Sequence, residues 1–253
     1  MENEPLILLG RKAVLEALDN ERSIDRILLR RDDRNKPLQG TLRVVAAKAQ
    51  ERRVVVQETT REKLDALTES GNHQGVVALC PAVEYVTVQD ILNNAREKGE
   101  DPLIIVLDGV TDPHNLGAVI RTAEAGGAHG VIIPKRRAAG LTGTVVKASA
   151  GAVSYMPIAR VTNITSTLET LKKEGLWIAC AHMSGTNLFE TDLTGPLALV
   201  LGAEGEGVSR RVSEAADFLV KIPMLGRIPS LNVSVAAGVI IYDVVRGREA
   251  KRS

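Results

Sequence analysis

Four polar side chains stand in runs of small or apolar residues, where a fold would have to give them a purpose: Asn115, Arg121, Glu204 and Asn232. Arg121 lies among Ala118, Val119, Ile120, Thr122 and Ala123. A guanidinium there is costly to bury without an anion, so it either meets an anionic ligand group or closes an internal ion pair. Asn115 precedes it by six residues, which on a helix places both on roughly one side at an oblique angle. Glu204 and Glu206 sit in LGAEGEGV. Two carboxylates in one loop repel a pyrophosphate and suit a ligand with hydroxyl, amine or cationic groups; the plainer reading is a solvated acidic loop. Asn232 closes Ser230-Leu231-Asn232 at the head of an apolar run. Ser230 can serve as the cap of the helix that follows, which would put Asn232 inside its first turn. Backbone groups of residues 222–224 and 230–233 have no regular partners in this pattern and are free to bind a purine edge or a ribose.

Other chemistries are disfavoured. GAEGEG fails the G-x-G-x-x-G dinucleotide pattern because Glu204 takes its third position, and it lacks the Lys-Ser/Thr of a P-loop. His73, His114, His129 and His182 are scattered without a paired ligand at zinc spacing, so no metal site is expected. Cys80 and Cys180 are far apart in apolar runs, which suits buried thiols in a reducing compartment. The first residues have neither a basic start nor a long apolar core, and no apolar run approaches the roughly 20 residues that span a bilayer. A cytoplasmic protein with no membrane partner is therefore expected. The formal net charge of +1 means that any nucleic-acid contact must come from local patches, and six aromatic residues (two Phe, three Tyr, one Trp) are too few for a stacking platform.

The elements that must position these residues alternate in type. Residues 10–80 read as a small α/β layer: helices over GRKAVLEALDN, LRVVAAKAQERR and REKLDALTES, and strands over IDRILLR, RVVVQE and GVVALC. Its polar loop RRDDRNK, residues 30–36, is either a solvated turn or a phosphate-contacting loop carrying Arg30, Arg31, Arg34 and Lys36. Residues 81–100 lose the regularity and read as a linker that passes through a short helix-like stretch. From residue 101 to 253, continuous apolar strands (LIIVLDG, GVIIP, VSYMPI, LWIACA, LALVLG, FLVKIP) alternate with helices, which implies a parallel sheet covered on both faces. Asp112-Pro113 is a sound helix start. Residues 225–246 lead through the Ser-Leu-Asn elbow into an apolar helix after Asn232 that reads as buried on more than one side. Three polar loops follow strand ends in this half, where open α/β sheets build ligand sites.

The three loops NLGAVIRTA, LVLGAEGEGV and IPMLGRIPSLNVSVA resemble motifs one, two and three of the SpoU/TrmH branch of the SPOUT RNA methyltransferases, over residues 103–246 and in the same order. The first domain, ending in NHQGVVA, is similar to the small ribosomal-protein-like substrate-binding domain of the branch that methylates a guanosine ribose of 23S rRNA. The resemblance implies a C-terminal trefoil knot that binds S-adenosylmethionine, a homodimer, and RNA as substrate. It assigns Asn115, Arg121, Glu204 and Asn232 to a catalytic set, and Gly202, Ile222 and Leu231 to the cofactor, with Ala203, Met224 and Val233 added by adjacency. Arg121 would orient the ribose 2'-hydroxyl and stabilise its developing alkoxide. A tRNA ribose methyltransferase is the rival within the enzyme class, and a non-catalytic ribosome-associated RNA-binding protein the rival outside it.

Overall fold

The computed structural model describes residues 7–20, 22–31, 37–68 and 71–252. These form two compact units, Met1–Glu84 with Gly140–Gly143 and Tyr85–Ala139 with Thr144–Ser253. In the first, β1 (Ile7–Leu9), α1 (Arg11–Asp19), β2 (Arg26–Arg30), α2 (Gly40–Glu51), β3 (Val55–Thr59), α3 (Arg61–Leu67) and β4 (Val76–Leu79) follow in order. The sheet runs β1-β4-β2-β3, with β2 and β3 parallel and β4 antiparallel to both its neighbours. Period-two alternation decides the faces: Ile27 and Leu29 of β2 are buried and join Val14, Leu18, Val45 and Ala49 from the helices.

The second unit carries α4 (Val88–Lys98), β5 (Leu103–Asp108), α5 (Pro113–Ala125), β6 (Gly130–Pro134), α6 (Gly143–Ala148), β7 (Ile158–Val161) and α7 (Ile164–Lys173). It continues with β8 (Trp177–Asn187), β9 (Leu197–Gly202), α8 (Arg210–Glu214), β10 (Phe218–Lys221) and α9 (Val233–Arg252). All six strands are parallel in the order β10-β8-β9-β5-β6-β7. The central strand β5 is apolar from Leu103 to Leu107 because both its faces are covered, and polar only at its last residue, Asp108. Ile104 and Val106 enter a cluster with Ile91, Leu168 and Ile178, and alternation turns the equally buried Ile105 and Leu107 to the opposite face. Among the described residues, no helix is long and apolar enough to cross a membrane.

Three local expectations are corrected. Residues 81–100, read as a linker, hold α4, whose Ile91, Leu92 and Ala95 are buried in the core of the second unit. Its start is a capping box: the Asp90 amide donates to Thr87 Oγ1 (3.1 Å) and the Thr87 amide to Asp90 Oδ2 (2.8 Å). Residues 153–157 are not strand. A 3₁₀ turn, Ala152–Ser154, comes first, and pairing begins only at Ile158, after Pro157, which has no amide hydrogen to donate. Finally, α9 is buried on one side only. Ala237, Ile240, Ile241 and Val244 are inside, whereas Val235 and Tyr242 are each 51% exposed.

Candidate active site

The loops after β5, β9 and β10 converge at the carboxyl edge of the parallel sheet. The first starts α5. Asp112 Oδ1 accepts from the His114 amide (2.9 Å) and Pro113 takes the first helical position, so the helix begins where the local chemistry dictates. Asn115 follows in the first turn and is buried. Gly117 lets this end of α5 seat closely: a Cβ there would stand 2.5 Å from Ala148 Cβ and 3.0 Å from the Ser149 amide nitrogen.

The second loop is a tight hairpin. The Ala203 amide donates to the Gly207 carbonyl (3.1 Å) and the Gly207 amide to the Ala203 carbonyl (2.9 Å), which turns Glu204 and Glu206 outward. Gly202 is required by this closure, because a Cβ on it would lie 2.0 Å from the Gly207 carbonyl carbon. Asp108, at the end of β5, accepts from the Ser209 amide (2.8 Å) and ties the first loop to the second.

The third loop ends on Asn232, which is the cap of α9; Ser230, the alternative, is not. Asn232 Oδ1 accepts from the Ser234 amide (2.9 Å), the Ser234 hydroxyl (2.6 Å) and the Val235 amide (3.4 Å). These donors fix which way the amide points. Its Nδ2 therefore faces away from the helix and donates to Asn115 Oδ1 (2.9 Å) and to Glu204 Oε1. Residues 117 and 28 positions apart in sequence are thus locked into one network by a helix cap. Asn115 keeps its Nδ2 hydrogens and Glu204 its second oxygen, giving one donor group and one acceptor for a ligand.

Beside this network lies a cleft of about 470 Å³. Gly202, Ala203, Ile222, Met224, Leu231 and Val233, the six residues assigned above to a cofactor, all line it. So do His182 and Met183, which sequence reasoning missed. They belong to an excursion of β8: Leu219 of β10 pairs with Cys180, but the next residue, Val220, pairs with Thr186, so residues 181–185 are passed over by the register and Ala181, His182 and Met183 line the cleft. His182 Nδ1 accepts from the Ser184 amide (3.2 Å) and meets the Ser184 hydroxyl (2.8 Å), which leaves Nε2 as the ring's donor. Cys180 is buried beneath; burial, with Asp108 adding to it, pushes its thiol up to about 12, so it is no nucleophile here.

Arg121 is not brought into the network. The expectation that the two share roughly one side of the helix is corrected: a six-residue spacing carries Arg121 about 120° around α5 from Asn115. Asn115 faces in; Arg121 is exposed and has neither a hydrogen bond nor an ion pair among the described residues. The internal ion pair is therefore not formed. Of the basic loop in the first unit, Arg34 and Lys36 lie outside the described residues. Arg30 and Arg31 line a separate cleft of about 1130 Å³ with Arg11 and Arg61. Arg31 pairs with Glu58. His73, buried at that cleft, accepts the Gly75 amide on Nδ1 (3.0 Å) and meets Asp65 through Nε2 (2.9 Å).

Residues 102–242 match the SpoU rRNA methylase family, and residues 7–86 match the family described as RNA 2'-O ribose methyltransferase substrate binding. The chain is 45% identical over 242 residues to a Bacillus subtilis (strain 168) protein named as a TrmH family tRNA/rRNA methyltransferase, covering 95% of both chains. It is also similar to two solved structures. One is the SpoU methyltransferase AviRb from Streptomyces viridochromogenes with its cofactor AdoMet, at a TM-score of 0.61 and 25% identity over 98% of this chain and 92% of that one. The other is an AdoMet-bound rRNA methyltransferase from Sinorhizobium meliloti, at a TM-score of 0.60 and 29% identity over 97% and 88%.

Proposed function

The chain belongs to the SpoU rRNA methylase family, and from that premise we propose that it methylates a ribose 2'-hydroxyl of RNA, at a guanosine of 23S rRNA. S-adenosylmethionine is its cofactor, and when bound it supplies an electrophilic methyl on a sulfonium sulfur. The chemistry of the cleft fits that group. Its volume is in the range of small-molecule sites, its walls at Ile222, Leu231 and Val233 are apolar, and Glu204 offers a carboxylate beside them. Gly202, Ala203, Ile222, Met224, Leu231 and Val233 would hold it.

The observation that carries the reading is the orientation of Asn232. With its amide fixed by the helix start, it presents Asn115 and Glu204 as a pre-set donor and acceptor, and alignment of this kind is a large part of barrier reduction in a displacement. A neutral hydroxyl is a weak nucleophile. Arg121 would stabilise the charge that develops on its oxygen, since a guanidinium hardly gives up its own proton. The proposed homodimer accounts for two exposed features, the outward Arg121 of α5 and the Val235–Tyr242 side of α9. A C-terminal trefoil knot and a cytoplasmic location belong to the same reading.

The 23S rRNA assignment rests on the first unit, with Arg30 and Arg31 as RNA contacts; a tRNA ribose is the other substrate to test. The experiment is transfer of a radiolabelled methyl from S-adenosylmethionine to unmodified transcripts of 23S rRNA and of tRNA, with the product nucleoside identified by mass spectrometry. A 2'-O-methylguanosine from 23S rRNA is expected. A methyl on a base, or none on either RNA, overturns the reading.

A further inference from the structure

Between Glu124 and Glu169 the chain has no Asp or Glu, although it carries 31 of them in all, and the same stretch holds Lys135, Arg136, Arg137, Lys147 and Arg160. A chain of net charge +1 therefore concentrates positive charge locally in its second unit. Three of these cations are consecutive. They follow Pro134, the last residue of β6, and so emerge at the carboxyl edge of the sheet, the edge that carries the Asn115–Glu204–Asn232 network. The Ala139 amide donates to the Val110 carbonyl (3.0 Å), which fastens this loop to the one that begins α5. Arg160 braces it: its Nη2 donates to the Lys135 carbonyl (3.1 Å), and its guanidinium lies 5.4 Å from the centre of the Tyr85 ring.

Arg136 and Arg137 are exposed and have no carboxylate partner among the described residues. Arg137 also holds φ at 56°, the left-handed region in which an arginine is strained and a glycine would not be. A solvated turn has no need of two adjacent unpaired guanidiniums on a strained, tethered backbone. A phosphodiester does, because each phosphate offers oxygens for bidentate pairing. We infer that Arg136 and Arg137 form a phosphate clasp on the catalytic unit, gripping the RNA backbone beside the nucleotide that enters the cleft. The inference rests on the RNA methyltransferase reading. It adds a substrate contact that belongs to neither the three motif loops nor the first unit.

The test uses the full chain and the two transcripts above, continuing with whichever accepts methyl. Arg136→Glu with Arg137→Glu should raise the KM for RNA on the order of tenfold and reduce the slope of log affinity against log salt by about two. Calorimetric affinity for S-adenosylmethionine and kcat at saturating RNA should stay within about twofold, since neither residue lines the cleft. The control with the same charge change is Lys98→Glu with Arg252→Glu, at the opposite edge of the sheet. A KM and salt slope unmoved by the first pair, or moved equally by the control, overturns the clasp. Arg137→Gly removes the strain as well as the charge. It should melt no lower than the wild type while losing about one from the salt slope, and it decides the matter if the charge reversals do not fold. Absence of transfer by the wild-type chain removes the parent reading and this one with it; transfer with an unmoved KM removes the clasp alone.

Discussion

The cleft of the first unit is the larger, about 1130 Å³ against about 470 Å³, yet the polar groups with fixed orientations stand at the smaller one. Arg11, Arg30, Arg31 and Arg61 line the larger one, and their bonds run to local groups: Arg11 to the Gln74 carbonyl, Arg31 to Glu58, Arg61 to Asp65. Such a surface holds a polyanion through many separable contacts, each screened by salt. In the second unit, few polar groups face the cleft, and their orientations are set by backbone amides: Asn232 by the start of α9, and the Glu204 loop by the Ala203–Gly207 pair. A reacting centre needs that fixity, whereas a binding surface tolerates rearrangement. On the proposed function, capacity and reactivity are divided between the two regions.

Substitutions in the smaller cleft should have the largest effects. Gly202→Ala forces a Cβ to within 2.0 Å of backbone, so the hairpin that carries Glu204 must open. Affinity for S-adenosylmethionine should fall by about 100-fold or more, with several degrees of melting temperature lost, as overlap with backbone has no cheap relief. Wild-type affinity in calorimetry would show that the hairpin does not shape the cleft. Arg121→Ala comes next. It should lower kcat by roughly 10²- to 10³-fold, the usual effect of losing a charge-stabilising donor, while cofactor affinity stays the same. Because Arg121 stands apart from Asn232 within one chain, co-expressed Arg121→Ala and Asn232→Ala chains should regain activity as mixed dimers if the site is completed by a second copy. Unrecovered activity would confine each site to one chain.

Weaker effects belong to the larger cleft. Arg30→Ala and Arg61→Ala should each raise the KM for RNA by about 3- to 10-fold and reduce its salt dependence, leaving kcat and cofactor affinity alone. A fall in kcat from either variant would break the division of labour.

What the sequence could convey follows the same division. The parallel sheet was legible because a strand covered on both faces must be a continuous apolar run, as β5 is from Leu103 to Leu107. The start of α5 was legible because Asp112-Pro113 is complete within two residues. By contrast, α4 was legible only as a helix-like stretch within a linker, because just Ile91, Leu92 and Ala95 are buried among polar neighbours and nothing local says that they enter a core. The choice between Ser230 and Asn232 as cap could not be made locally, since both side chains can accept from a helix start. It is decided by Asn115 and Glu204, which reward Asn232 for pointing its Nδ2 outward. His182 was invisible for a similar reason: it reaches the cleft through a register change between β8 and β10, which is a property of the pair and of neither strand alone.

The smallest expected effect tests whether the two units also differ in acid sensitivity. His129 is buried in the second unit, where Nδ1 accepts the Leu103 amide (3.1 Å) and Nε2 meets Glu100 (3.1 Å). Burial lowers its pKa below the ordinary 6.5, and the Glu100 carboxylate only partly offsets this. The unfolded chain then binds the proton more readily, so this contribution is fully present above about pH 6.5 and is lost as pH falls through the unfolded value toward the folded one. Protonation would also set an Nδ1 hydrogen against the Leu103 amide. His129→Gln keeps an acceptor and cannot titrate. Between pH 7.5 and 5.5 the wild-type second unit should lose about 1–2 °C more in melting temperature than this variant. Identical pH dependence in the two proteins would mean that His129 does not set the acid limit of the sheet.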